Sequence, residues 1–335
     1  MKIDIDSVSH EELLQARLCD LGLTIKGTVI EDYINQLYDE LKLKGMQLLP
    51  PCYISDEWFS PHGVAAIAIP FYLTHPRLLA LEKKMMHVVE GGTKPEALKL
   101  LRHECGHAYV HAFNLTRKSR WRQIFGHPGK AYMEHYRYRP YSKSFVNNLR
   151  DFYAQSHPEE DFAETFAVWL DPQSNWKQQY ESWPAMRKLA YVEELMEALK
   201  ETTVKVTAKD FYYPIHKIKK RLVLHYDRMI KMYGEDIEDF FDEDLKKLFP
   251  VTEGKGTSAA DLVARHRRLI EESICRHTKE KKYVVSSLLA KLIRRMKVLK
   301  LHVHGEPKDC IAEFSVYLTS LISNYRYTNQ YKGGD

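Results

Sequence analysis

The 335-residue sequence has no apolar run long enough to cross a bilayer; the longest, near residues 63–73, is about half the span required. Its first six residues, MKIDID, have neither the basic region nor the apolar stretch of a secretory signal. Cysteine is scarce, and Cys19, Cys52, Cys105, Cys275 and Cys310 form no C-x-x-C pair. Their odd number and scatter argue against a disulfide framework and a zinc finger, and fit a reducing cytoplasm. No internal repeat or low-complexity tract is present. The glycines of Gly254-Lys255-Gly256-Thr257-Ser258 lack the G-x-x-x-x-G-K-[ST] spacing that cradles phosphates. These absences leave a protein expected to be cytoplasmic, with no membrane partner and enough chain for two domains.

Charge is uneven. Residues 1–200 carry 24 basic and 26 acidic side chains, a net of −2, and residues 201–335 carry 26 and 19, a net of +7, so the positive excess lies in the second part. Residues 265–300 hold 12 basic and 3 acidic side chains on helical patterns. Few aromatics interleave them, so a solvated face is the simpler reading and nucleic-acid binding the alternative. The acidic run at 235–244 likewise reads as a solvated face.

What the chain does have is Arg102-His103-Glu104-Cys105-Gly106-His107, containing H-E-x-x-H. On a helix, histidines four residues apart lie about 40° apart around the axis, so both imidazoles can reach one ion. Glu104, about 100° round from His103, flanks the same side and can serve as general base. A catalytic zinc takes three protein ligands and a water, so a third ligand must exist. The helix itself is well specified. Thr93-Lys94-Pro95-Glu96 reads as a capping box with Pro in the first turn. Leu98, Leu101, Cys105, Ala108, Tyr109 and Ala112 form an apolar stripe opposite the histidines, which leaves the His/Glu face to a cleft. Gly106 can let another segment approach closely.

The second half of the site is expected at residues 151–170. Ser156 and Pro158 open a helix with Glu159 at the capping-box position. Phe162, Phe166 and Trp169 make its core side, with Glu160 and Glu164 one turn apart opposite them. Beside a two-histidine site, one carboxylate can complete the metal shell and the other can take a ligand's N–H.

H-E-x-x-H followed by a helix with E-x-x-A-E resembles the gluzincin metallopeptidases. The run His157-Pro158-Glu159-Glu160-Asp161-Phe162-Ala163-Glu164-Thr165 is similar to the H-P-x-E-D-[FW]-A-E-T of the bacterial putative zinc-binding metallopeptidases. By position, the resemblance implies Glu160 as third zinc ligand and Glu164 as its outer partner, on His103. Anthrax lethal factor has a similar, more distant arrangement, with a tyrosine seven residues before its ligand glutamate; Tyr153 stands there. The resemblance covers about residues 52–172. The metzincins are excluded, because Phe113 stands where their third histidine would be. His111, a further turn along, is a poorer third ligand than Glu160.

The remaining pattern predicts helices within residues 9–48, near 74–87, over 183–200 and near 311–325, with Pro184 in the first turn of the third. Residues 52–54 and 63–73 read as strands. Pro70 makes the second an edge to which an extended peptide could add. Residues 117–141 read as a loop framing the cleft, with His127 and His135 solvated; if Tyr153 is not the oxyanion donor, Tyr132, Tyr136, Tyr138 or His135 of this loop is the place to seek it. The expected fold is α+β and mainly helical, with a zincin-like metallopeptidase domain over residues 1–200 carrying a short N-terminal sheet. A helical, basic C-terminal domain of unassigned role follows over 201–335. The expected activity is zinc-dependent hydrolysis of a peptide or protein substrate, with Glu104 as base and Tyr153 as oxyanion donor. The alternatives are a non-catalytic zinc-containing scaffold and a nucleic-acid-associated protein.

Overall fold

A computed structural model describes residues 3–86, 89–132, 139, 142–202, 204, 211–235, 241–250, 256–278, 280 and 282–328. His135, Tyr136, Tyr138 and Tyr141 lie outside them. The described residues are mainly helical, with one small sheet. The chain divides into two compact units, residues 1–83 with 89–222, and residues 84–88 with 223–335.

The first unit opens with α1 (His10–Gln15), closed at its start by a reciprocal Ser9–Glu12 capping box, and α2 (Val29–Leu43), whose Ile30, Ile34, Leu37 and Leu41 are buried. Two short strands follow, β1 (Cys52–Ser55) and β2 (Ile67–Pro70), paired in parallel with Cys52 opposite Ile67 and Ser55 opposite Pro70. The apolar run at 63–73 thus gives only four strand residues, then a 3-10 turn at Phe71–Thr74. Pro70, which has no N–H to donate, ends the ladder. All four β2 residues are buried, and the Ala68 N–H donates to the Phe59 carbonyl at 2.8 Å. The chain's own Phe59 therefore occupies part of the edge expected for a peptide.

Next come α3 (Pro76–Met86), α4 (Lys94–Phe113), α5 (Ser119–Phe125), α6 (Pro158–Leu170), α7 (Trp176–Gln179) and α8 (Met186–Leu199). Pro184 precedes α8 rather than lying in its first turn. Helix α4 starts after Thr93, but the Thr93 hydroxyl bonds the Glu96 carboxylate at 3.1 Å instead of capping the backbone. The helix stops where Asn114 turns left-handed, with φ of 49°. Beyond residue 200 the chain returns to its own beginning. Lys220 and Ile218 carbonyls accept from the Leu18 and Cys19 N–H groups, so the first unit runs to Leu222.

The second unit holds α9 (Leu222–Glu235), α10 (Asp242–Leu248), α11 (Ala259–Arg265), α12 (Arg267–Thr278), α13 (Lys282–Val298) and α14 (Pro307–Thr328). Its core joins Phe249, Val263, Ile274, Leu289, Ile293 and Phe314. Asp242, from the acidic run read as solvated, is buried; its carboxylate takes two 2.6 Å bonds from the buried Arg295 guanidinium. Burying the pair together avoids the cost of either charge alone. Arg294 is buried too, and Arg267 bonds Glu271 and Ser286. The basic segment is thus partly internal. No helix among the described residues is long and apolar enough to cross a membrane.

Candidate metal centre

The site lies where α4 crosses α6. Gly106 makes that crossing close: a Cβ there would stand 2.8 Å from the Ala163 Cα and 3.2 Å from its carbonyl oxygen. With the two backbones so near, α6 covers the face of α4 that the sequence left to a cleft. His103 and Glu104 are consequently buried along with Leu101, Cys105, Ala108 and Tyr109. Helix α6 is similarly enclosed, Glu160 and Glu164 being buried along with Phe162, Phe166 and Trp169.

Three donors converge. Glu160 Oε2 lies 3.1 Å from the Nε2 of both His103 and His107, and those two nitrogens are 3.1 Å apart. Tetrahedral bonds of the length zinc makes to nitrogen and oxygen would set ligand atoms about 3.3 Å apart. Among the described residues these three alone form such a cluster. The donor set fits a dication in charge as well. Two imidazoles and a buried carboxylate bring three polar atoms to one point, where a dication would engage all three with the imidazoles neutral.

The surroundings fix two of the three donors. His103 Nδ1 bonds Glu164 Oε1 at 2.8 Å, which turns the Nε2 lone pair to the centre. Glu164 in turn accepts from the Asn148 amide and the Leu149 N–H, both at 2.8 Å. The Tyr132 hydroxyl donates to Glu160 Oε1 at 2.9 Å, leaving Oε2 to the histidines. Burial raises the Glu160 carboxyl, but the two imidazoles outweigh it and hold Glu160 well below the usual carboxylate range. Burial lowers His103, and Glu160 with Glu164 reverse this and lift it well above the usual imidazole value. His107 is raised by the same contest, with Glu160 prevailing. A dication bound among them takes the place of those protons. Glu104 is also buried, and burial pushes its carboxyl above the ordinary range despite both histidines.

The neighbouring acids point in different directions. Glu160 faces the histidines and Glu159 does not join the cluster. Asp161 points elsewhere, to Lys188 Nζ at 2.7 Å. The helix cap differs from expectation: Ser156 donates to the Tyr153 carbonyl, and His157 is the cap, its Nδ1 accepting from the Glu159 N–H. His111 stays outside the cluster; its ring packs 5.0 Å from that of His62. Burial, with His107 and His62 beside it, pushes His111 down to about 4, so it is neutral. The Tyr153 ring centroid is 5.7 Å from that of His103, on the site. His127 is exposed, as read from the sequence.

Comparison with known families bears on the same residues. Residues 97–207 match the family of putative zinc-binding metallo-peptidases. The matched stretch contains both histidines, Glu104, Tyr153, Glu160 and Glu164, in agreement with the resemblance read from the motifs. No curated protein matches the chain significantly, and no solved structure does.

Sequence reasoning named Tyr132 only as a substitute oxyanion donor, not as a partner of Glu160, and missed Asn148 and Leu149; all three lie in stretches with no periodicity to interpret. It also missed the anchor beside the motif. Arg102 makes two 2.7 Å bonds to buried Glu40 of α2 and approaches Asp171 at 3.0 Å. Its place next to His103 was the available signal, since a charged residue inside a buried helix requires a partner.

Proposed function

We propose that the protein is a zinc-dependent peptidase whose catalytic part, residues 1–200, has a zincin-like architecture and acts on peptides or proteins in the cytoplasm. The observation that carries this reading is the convergence of His103, His107 and Glu160 on one point, with the Glu104 carboxylate on the adjoining helix position. Zinc bound there supplies a Lewis acid for the scissile carbonyl and makes a water acidic near neutral pH. Glu104 takes the proton of the attacking water and passes it to the leaving amine. Tyr153 donates a hydrogen bond to the oxyanion as charge develops on it. Glu164 keeps His103 in the tautomer whose Nε2 is free, and holds the ring still. The five free cysteines accord with a reducing compartment. Burial of Arg294 and Arg295 weighs against residues 265–300 as a nucleic-acid footprint.

The test is digestion of a peptide mixture by zinc-loaded protein, read by mass spectrometry, beside Glu104→Gln. Cleavage by the wild type alone, with equal zinc in both, is the expected result, because the amide cannot accept the water's proton. Equal cleavage by Glu104→Gln would remove the mechanism.

A further inference from the structure

Tyr132 belongs to a stretch that the sequence assigns to the frame of a cleft, with Tyr132 itself as a substitute oxyanion donor. Its ring stacks on His157 at 3.8 Å between centroids and 16° between planes. His157 is itself fixed at both nitrogens: Nδ1 accepts from the Glu159 N–H at 3.2 Å, and Nε2 donates to the Lys130 carbonyl at 2.9 Å. The imidazole is thereby a rigid platform at the first turn of α6, the turn that carries Glu160. From that platform the phenol reaches into the centre. Although 59% of Tyr132 is exposed, its hydroxyl lies 2.9 Å from Glu160 Oε1, while Glu160 Oε2 is 3.1 Å from both histidine nitrogens.

A carboxylate can hold a metal through one oxygen or both. The hydroxyl donor holds Oε1 towards Tyr132, and Oε2 is the oxygen turned to both histidines. We infer that Tyr132 is a positioning residue that restricts Glu160 to one-oxygen ligation of the bound metal, and so keeps the site at three protein donors with a position open for water. This rests on the zinc reading of His103, His107 and Glu160. It assigns a task to the loop before α6: the loop sets the coordination number of the centre. The stack gives the reach and the hydroxyl gives the effect, which separates a positioning role from simple packing.

The experiment uses the full-length protein and its Tyr132→Phe and Tyr132→Leu variants, with zinc affinity from chelator competition and the visible spectrum after loading with cobalt(II). Cobalt absorbs strongly in four-coordinate sites and weakly at higher coordination. The wild type should give the strong spectrum. Both variants should weaken zinc binding by about 10–100-fold, as loss of a ligand's outer hydrogen bond does, and should show the weaker absorption as Glu160 closes on the metal with both oxygens. Phenylalanine retaining wild-type affinity and spectrum, with only leucine impaired, would show that the stack alone matters and overturn the inference. Wild-type protein that takes up no metal would instead overturn the zinc reading beneath it.

Discussion

Replacing Gly106 with alanine sets two opposed effects against each other on one atom. In an ordinary helix interior the change stabilises by about 1 kcal/mol, because glycine loses more backbone entropy on folding. At this position the new Cβ would meet the Ala163 Cα at 2.8 Å, its carbonyl oxygen at 3.2 Å and the Phe166 Cβ at 3.2 Å. Unstrained carbon–carbon contacts fall near 3.5–4.0 Å, so α6 must retreat by roughly 0.7 Å or more. The obstacle is backbone, which cannot rotate aside as a side chain could. Overpacking of this kind costs about 1–3 kcal/mol, and the propensity gain offsets only part of it.

The net expected loss is about 0–2 kcal/mol, or a fall in Tm of a few degrees for a unit of this size. The larger consequence is geometric. Glu160 and Glu164 ride on α6, while His103 and His107 ride on α4, so separating the helices opens the 3.1 Å and 2.8 Å contacts between them. A metal site tolerates about 0.5 Å of such error. Zinc affinity should therefore fall at least tenfold, measured by chelator competition, beside a thermal melt of the metal-free protein. A variant that melts higher than wild type and binds zinc as tightly would refute the claim that the crossing needs glycine.

Three further outcomes are expected. Glu160→Ala should strip most of the zinc, seen by metal analysis after desalting, whereas Glu159→Ala should leave it in place; the reverse pattern would mean a register error of one residue. Arg102→Met should destabilise by about 3–5 kcal/mol in denaturant melts, because it leaves the Glu40 carboxylate buried without its guanidinium partner; a loss below about 1 kcal/mol would refute that. Asp161 is pushed up to about 7 by burial, against the pull of Lys188, and Lys188→Met should raise it further. Its folded pKa then lies above the unfolded value of about 3.9, so the folded state binds the extra proton between the two. Stability of the variant should fall as pH rises through that window, and its deficit against wild type should be larger at pH 8 than at pH 5. A deficit independent of pH would exclude Asp161 as the source.

The two helices of the site were legible because each is fixed by local spacing. His103 and His107 at i, i+4, and Glu160 and Glu164 at i, i+4, can face one another only if both segments are helical, and the apolar residues between them agree. The ends were less legible. In Ser156-His157-Pro158 the hydroxyl and the imidazole are one residue apart, and both can accept from a helix N–H. The ring took the cap because the Ser156 hydroxyl donates back to the Tyr153 carbonyl. The apolar run at 63–73 was long enough for a strand of eleven residues, but periodicity cannot divide a wholly buried run into strand and turn. Asp242 was misread for a different reason: its partner Arg295 lies 53 positions away, and charge counted along the chain does not register a pairing made across it.

The same limit explains why the clustered residues were legible and their supports were not. His103, His107 and Glu160 sit on regular elements, where spacing is informative. Their supports come from irregular chain: Tyr132 before α6, and Asn148 and Leu149 between α5 and α6. This division of labour has a physical basis. A helix directs a side chain along one fixed vector, which suits a donor that must meet a point. Glu160, in the first turn of α6, also gains from the positive end of that helix. Glu164 lies a turn deeper with no exposure, beyond that influence, and needs hydrogen-bond donors of its own. The neighbouring turns of α6 are occupied by their own backbone bonds, so the donors must come from elsewhere in the chain. The loop amide of Leu149 and the side chain of Asn148 meet that need, and His103 completes it. The imidazole is thus held by a carboxylate that loop residues hold, so the order of residues 148–149 is part of what holds the His103 ring in place.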